Sequence, residues 1–137
     1  MLSVLEVKRK LPNTFVEKLY ENYTPLTVDK ILTGMSGERN TTLRVNNIKS
    51  DIQKVMNELK ENGIKFDRVQ WYTDALIIKN AKEKQIQDLK MYDEGKIYLQ
   101  SLSSMVPPLV LNPKPNEKVL DLTAAPGSKT TQMAAMM

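Results

Sequence analysis

The sequence contains no cysteine and no histidine among its 137 residues. The absence of cysteine excludes disulfides, thiolate zinc sites and a cysteine nucleophile within this chain. The absence of histidine removes the commonest general base and the commonest transition-metal ligand, and we expect no metal site. Any chemistry must therefore use lysine, carboxylates, hydroxyl groups or a bound cofactor.

Long hydrophobic runs and a strong excess of one charge are also lacking. No apolar run approaches the length that crosses a bilayer, and residues 1–10 lack the apolar core of a secretory signal. We therefore expect a cytoplasmic protein. The formal net charge is +4, from 20 basic and 16 acidic residues. This balance permits binding to nucleic acid without requiring it.

The first part of the chain, residues 1–35, is predicted to be a small helical segment. Apolar side chains recur at helical spacing between residues 15 and 23 and again between residues 28 and 32. Pro25 separates these two predicted helices, and Gly34 is expected to end the second one.

The next part, residues 36–80, is predicted to form a compact β-α-β-β unit. A β-branched strand at 41–45 precedes a helix that runs from Ser50 to Gly63, and two further strands follow at 64–71 and 75–78. The fold class is therefore α+β. A unit of this size cannot hold a large core alone, so it should dock on its neighbours.

The last part, residues 81–137, begins with a charged connecting helix, which is predicted over residues 79–94. A short strand at 96–99 and a helix capped by Ser104 come next, and a buried strand is expected at 118–121. That strand leads into a turn of small residues and then a helix from Lys129.

The turn between this strand and helix is the segment that carries chemistry. A helix that begins after a turn of small residues presents backbone N–H groups and a positive dipole end to an anionic ligand group. Ala124, Ala125 and Gly127 let a ligand approach the backbone closely, and Pro126 stiffens the turn. The spacing excludes a Walker phosphate loop and a Gly-x-Gly-x-x-Gly motif. A small-residue turn without a ligand is the alternative.

The segment Asp121-Leu-Thr-Ala-Ala-Pro-Gly-Ser-Lys-Thr130 closely resembles the Asp-x-Cys-Ala-Ala-Pro-Gly-Gly-Lys-Thr signature of RNA cytosine-5 methyltransferases of the Sun/Fmu (RsmB/RsmF) type. Residues 95–100, 103–108 and 111–115 resemble the lead-in to that signature. Leu43-Arg-Val-Asn46 and the helix after it resemble the small RNA-recognition-like unit of the same family. The resemblance thus covers most of the chain in the right order.

The resemblance implies S-adenosylmethionine as cofactor and the start of a Rossmann-like methyltransferase domain in residues 81–137. The cofactor-binding residues that it implies are Thr123, Ala124, Ala125, Pro126, Gly127, Ser128 and Lys129. Thr123 stands where the family usually has cysteine, and Ser128 stands where it has glycine. Both replacements are small, but Ser128 adds a Cβ where the backbone conformation is demanding.

RNA, either rRNA or tRNA, is the implied partner. The candidate RNA-binding residues at the end of the first predicted strand are Arg44, Asn46, Asn47 and Lys49. The alternative for Arg44 is a structural role in which it pairs with an acidic residue.

The family's mechanism resembles covalent addition of a cysteine thiolate to the pyrimidine ring, and this chain has no cysteine. We therefore expect it to be inactive alone and to correspond to the N-terminal part of such an enzyme. The alternatives are a non-catalytic RNA-binding or docking module and a nucleotide-binding protein of another kind. An incomplete sheet would leave the apolar surface of residues 118–137 open. We therefore expect this segment either to be mobile in the monomer or to be ordered by self-association with a second copy through that C-terminal edge.

Overall fold

The computed structural model describes residues 3–37 and 39–137. The chain divides into two compact units, Met1–Arg39 and Asn40–Met137. The first unit is helical, and the second combines helices with one antiparallel sheet, which confirms the α+β class. The expected domain boundaries after residues 35 and 80 stay a prediction.

The first unit consists of α1 (Val4–Lys10), α2 (Asn13–Asn22) and α3 (Pro25–Ser36). The spacing of apolar residues predicts helices in the regions of α2 and α3 but not α1. The start of α1 is fixed by Ser3 and Glu6, because the Ser3 hydroxyl accepts the Glu6 N–H and the Glu6 carboxylate accepts the Ser3 N–H. The buried residues Val7, Val28 and Leu32 form the core of this unit.

The second unit, all of whose residues the structure describes, contains four strands and five helices. In chain order they are β1 (Thr42–Val45), α4 (Ile52–Glu61), β2 (Phe66–Arg68), β3 (Ala75–Ile78), α5 (Glu83–Gln87), α6 (Lys90–Asp93), β4 (Ile97–Leu99), α7 (Leu102–Leu111) and α8 (Ser128–Met136). The predicted β-α-β-β order is thereby confirmed, and β4 extends the same sheet.

The sheet has the strand order β2-β3-β1-β4, and every neighbouring pair is antiparallel. Strand β1 is central, with Arg44 opposite Ala75 on one side and opposite Tyr98 on the other. Because side chains alternate along a strand, Arg44 and Tyr98 share a face, and Leu43 lies on the other.

The two faces of the sheet pack against different helices. Leu43, Leu76 and Ile97 belong to the main core together with Val55 and Leu59 of α4. On the opposite face, a smaller core contains Val69, Ala75 and Met105, and Met105 belongs to α7. The face to which Arg44 belongs is therefore covered by α7 rather than open to solvent.

Two predicted helices differ from the structure. The helix expected over 79–94 is divided into α5 and α6, because the chain between them is not helical at Leu89. Helix α7 begins after Ser101, whose hydroxyl accepts the Ser104 N–H, rather than after Ser104. Pro107 and Pro108 consequently lie inside α7 and not in its first turn.

The predicted buried strand at 118–121 is wrong. These residues form no strand, and Leu120 and Leu122 are 81% and 86% exposed. A strand exists only where a neighbour satisfies its backbone hydrogen bonds, and none of the strands in the described residues pairs with this segment. In the described part of the chain, no helix is long and apolar enough to cross a membrane.

Candidate cofactor site

The loop that precedes α8 is closed by Asp121. One oxygen of its carboxylate accepts the Thr123 N–H at 3.0 Å, and the other accepts the Thr130 hydroxyl at 2.7 Å. These hydrogen bonds, first that from Thr130 and then that from Thr123, hold the pKa of Asp121 below its ordinary value, and the positive charge of Lys129 acts in the same direction. The ionised carboxylate thus ties the start of the loop to the first turn of α8.

Gly127, which has a φ of 103°, is the capping residue immediately before α8. This left-handed conformation favours glycine because it has no Cβ. The Thr131 N–H donates to the Gly127 carbonyl at 2.9 Å. The N–H groups of residues 128–130, which precede Thr131, have no side-chain cap. Free amides at a helix start, together with the positive end of the helix dipole, suit an anionic ligand group.

The structure places all seven predicted cofactor residues in this one turn. Residues 123–126 are exposed, and Gly127 and Ser128 are half-buried. The Lys129 ammonium group donates to the Ser104 hydroxyl at 3.0 Å, which links the turn to α7. Whether these residues bind a cofactor stays a prediction.

An open groove of about 250 Å³ lies beside this turn. Asp121 and Lys129 supply its charged side chains, and the remainder is apolar. Its apolar lining residues are Pro107, Pro108, Leu111, Val119, Leu120, Leu122 and Met133. Of the seven predicted cofactor residues, only Lys129 lines the groove.

The predicted RNA-binding residue Arg44 is buried, with 1% of its surface exposed. Its guanidinium donates from Nε to Gln100 Oε1 at 3.1 Å and from Nη2 to the Thr131 hydroxyl at 3.1 Å. A role in the fold therefore replaces the expected contact with RNA. Its partners are an amide and a hydroxyl rather than an acidic residue.

The other three predicted RNA-binding residues lie in the turn after β1. The Asn46 side chain donates to the Gly95 carbonyl at 2.9 Å, and the Asn47 side chain donates to the Asp74 carboxylate at 2.6 Å. Lys49 is exposed, and its ammonium group donates to the Glu94 carbonyl at 3.1 Å. Asn47 and Lys49 thus share an accessible surface that excludes Arg44, and their binding to RNA stays a prediction.

Sequence reasoning missed a buried network of amide side chains behind the candidate site. Gln100 Nε2 donates to Gln132 Oε1 at 2.8 Å, and Gln132 Nε2 donates to the Met105 carbonyl at 2.9 Å. Gln132 is 0% exposed. Glutamine is mostly exposed in proteins, so no local signal in the sequence indicated its burial.

No group of three or more acidic side chains within the described residues is placed to hold a metal ion.

Comparison with protein families gives two separate matches along the chain. The ferredoxin-like domain of RsmF/B-like methyltransferases matches residues 11–85, and the 16S rRNA methyltransferase RsmB/F family matches residues 108–137. The first match includes β1, α4, β2 and β3, and the second includes the candidate cofactor turn.

Curated relatives agree with these matches. Ribosomal RNA small subunit methyltransferase F of Shewanella sp. (strain MR-4) is 33% identical over 137 residues, which cover 98% of this chain and 28% of the relative. The tRNA (cytosine(49)-C(5))-methyltransferase of Pyrococcus abyssi (strain GE5 / Orsay) is 38% identical over 96 residues, which cover 70% of this chain and 30% of the relative. The chain therefore spans less than a third of the length of these relatives.

Solved structures share the fold. The crystal structure of PH0851 matches with a TM-score of 0.82 and 30% identity. The match covers 100% of this chain and 31% of the chain in that crystal structure. The structure of a methyltransferase homolog protein from Pyrococcus horikoshii matches with a TM-score of 0.73 and 32% identity. That match covers 93% of this chain and 45% of the Pyrococcus horikoshii chain. With the family match over more than half of the chain, these similarities show that the chain belongs to the RsmB/RsmF (Sun/Fmu) family of RNA methyltransferases.

Proposed function

We propose that this chain supplies the RNA-recognition region and the first cofactor-binding loop of an S-adenosylmethionine-dependent RNA cytosine-5 methyltransferase. The observation that carries the proposal is the turn before α8, where Asp121 holds the loop closed and the amides of the first helical turn have no side-chain cap. The substrate class, rRNA or tRNA, comes from the names of the relatives.

The residues of this turn fit the cofactor. S-Adenosylmethionine carries a carboxylate, and the uncapped N–H groups of residues 128–130 are suited to donate hydrogen bonds to it. Thr123, Ala124 and Ala125 are exposed and small enough for the remainder of the cofactor to lie against the backbone. When bound, the cofactor supplies the methyl group, and Lys129 adds a positive charge beside its carboxylate.

RNA contacts are proposed at the accessible turn that follows β1. Asn47 is oriented by Asp74, and Lys49 places a cation at the same end of the sheet. A lysine at such a position binds the phosphate backbone, so the contribution is independent of RNA sequence.

The chain by itself is proposed to lack methyl-transfer activity, because it contains no cysteine to add to the pyrimidine. The same absence favours the second candidate function, a non-catalytic RNA-binding or docking module. Cytoplasmic location fits both candidates.

Self-association of this chain is proposed through the apolar groove beside the turn. Leu120 and Leu122 are among its most exposed lining residues, and covering them would remove apolar surface from water. Sedimentation of the chain with Leu120→Ser tests this, since a second copy seated on the groove predicts that the variant is monomeric at concentrations where the unaltered chain is not.

Isothermal titration with S-adenosylhomocysteine tests the cofactor site. Ala124→Leu adds bulk at an exposed position of the turn, while the matched control Ala134→Leu adds the same bulk at an exposed position of α8. We expect saturable binding to the unaltered chain and to Ala134→Leu, and a loss of binding in Ala124→Leu. Equal binding to all three would place the cofactor elsewhere, and no binding to any would favour the docking module.

A further inference from the structure

Arg44 is a buried cation without an acidic partner. None of the ion pairs formed among the described residues includes it, and only 1% of its surface is exposed. Burial lowers the pKa of its guanidinium from the ordinary value, and the nearby Tyr72, Tyr98 and Asp74 oppose that shift. A buried charge is costly unless its hydrogen bonds are made, so its contacts require an explanation.

The guanidinium joins two elements that are far apart in the chain. Its Nε donates to Gln100, directly after β4, and its Nη2 donates to Thr131 in α8, 87 positions away. Its Nη1 donates to the Val45 carbonyl at 3.4 Å, and its ring neighbour is Tyr98, with the guanidinium carbon 5.7 Å from the ring centre. The sheet is thus connected to the start of α8.

The contact with Thr131 reaches the candidate cofactor turn in one further step. The Thr131 hydroxyl accepts from Arg44 and donates to the Gly127 carbonyl at 2.7 Å. The neighbouring carbonyl, that of Pro126, accepts the Tyr98 hydroxyl at 3.3 Å. Two successive carbonyls of the turn are therefore held from the same face of the sheet.

We propose that Arg44 is a positioning residue that fixes the orientation of the cofactor turn through the hydroxyl of Thr131. The role of the turn as a cofactor site rests on the proposed function, while the positioning itself does not. The planar fork of arginine serves Gln100 and Thr131 at once, a geometry that lysine cannot reproduce. The ferredoxin-like sheet thereby sets the position of the start of α8.

Hydrogen exchange of the 137-residue chain tests the proposal without cofactor. The Thr131 amide reports the turn because its partner is the Gly127 carbonyl, and the Val55 amide, bonded to the Asp51 carbonyl, reports the main core. Thr131→Val removes the hydroxyl and keeps the shape, Thr131→Ser keeps the hydroxyl, and Arg44→Lys keeps the charge but not the fork.

We expect the amide at position 131 to exchange about tenfold faster in Thr131→Val and Arg44→Lys, because each loses a hydrogen bond to a charged group. Thr131→Ser should match the unaltered chain. In each variant the exchange rate of the Val55 amide should change by less than about twofold, which is well below the change in rate that the loss of such a hydrogen bond causes. If Arg44→Lys fails to fold, the exchange rate at position 131 in Thr131→Val still tests the proposal.

Thr33→Val is the matched control, because the Thr33 hydroxyl also donates to a carbonyl four residues earlier, that of Asp29, but has no arginine partner. We expect little change at its own amide. Unaltered exchange at position 131 in Thr131→Val would overturn the proposal, and so would equal acceleration at Val55. A failure of cofactor binding would overturn the proposed function alone, since these measurements contain no cofactor.

Discussion

The carboxylate of Asp121 accepts the hydroxyl of Thr130 at 2.7 Å across nine positions of the chain. The second carboxylate oxygen accepts the backbone N–H of Thr123. One ionised side chain therefore closes the whole turn that contains the candidate cofactor residues. Its protonation state should control the order of that turn.

The first prediction concerns pH. The hydrogen bonds from Thr130 and Thr123 lower the pKa of Asp121 in the folded chain below its ordinary value of 3.8. A group with a lowered folded-state pKa stabilises the fold above the pKa of the unfolded chain and loses that contribution as pH falls through the folded pKa. We expect the turn to stay closed at neutral pH and to open in acid, below about pH 3.8.

Carboxyl and amide NMR shifts measured against pH check this prediction. The Thr123 amide shift should follow the titration of the Asp121 carboxyl carbon. Asp121→Asn has no carboxyl group at this position to titrate, so its turn should show no such pH dependence. A Thr123 shift that is constant between pH 7 and pH 2.5 in the unaltered chain would show that the carboxylate does not hold the turn.

The second prediction concerns Gly127, whose φ of 103° lies in the left-handed region. An added Cβ meets no atom closer than 4.0 Å, so Gly127→Ala should cost backbone energy alone, about 1–2 kcal/mol of the free energy of unfolding. Gly34→Ala is the control, because Gly34 lies in α3 with open space around it. It should stabilise by about 0.5–1 kcal/mol. Urea denaturation measures both, and equal effects of the two substitutions would contradict the account.

The β-α-β-β unit could be predicted because its signals are local. Strand β3 is bounded as expected at Ala75–Ile78, and Gly63 follows the end of α4 with a φ of 68°. Alternating apolar residues and a glycine stop depend only on near neighbours in sequence. The antiparallel position of β4 beside β1 depends on a pairing across more than 50 residues, which no local pattern encodes.

The candidate site was predictable only in part. The position of Gly127 before a helix start follows from the motif, whereas the hydrogen bonds of Arg44 depend on how α8 packs against the sheet. Arg44 has the sequence signature of a surface cation, and its burial is decided by tertiary structure. The segment 118–121 differs from its prediction in the opposite direction. Its apolar pattern predicts a buried strand, but no strand among the described residues pairs with it.

The third prediction concerns the core of the α+β unit. Leu59 of α4 is 0% exposed and packs in the main core with residues of the sheet. Leu59→Ala should therefore destabilise the unit by about 2–5 kcal/mol. Leu120→Ala makes the same change at a residue that is 81% exposed, and surface changes usually stay within about 0.5 kcal/mol. Fluorescence of Trp71, the single tryptophan, reports the unfolding. Equal destabilisation by the two substitutions would contradict the packing described.

The fourth prediction concerns RNA. Binding through phosphates should be weak and should fall steeply with salt, and Lys49→Gln should reduce the slope of log affinity against log salt by about 1. Lys60→Gln, at the end of α4, is the control and should leave the slope unchanged. Fluorescence anisotropy with a labelled RNA hairpin measures both slopes. Affinity that is flat between low and physiological salt would exclude this mode of binding.

The central claim is that residues 123–129 bind the cofactor, and an NMR titration of the labelled chain with S-adenosylhomocysteine tests it most directly. Cofactor binding at this turn predicts saturable shifts concentrated at the amides of Thr123, Ala124, Ala125 and Gly127–Lys129, with a dissociation constant equal to that from calorimetry. Saturable shifts confined to other residues, or unchanged amides in this turn at saturating ligand, would contradict it.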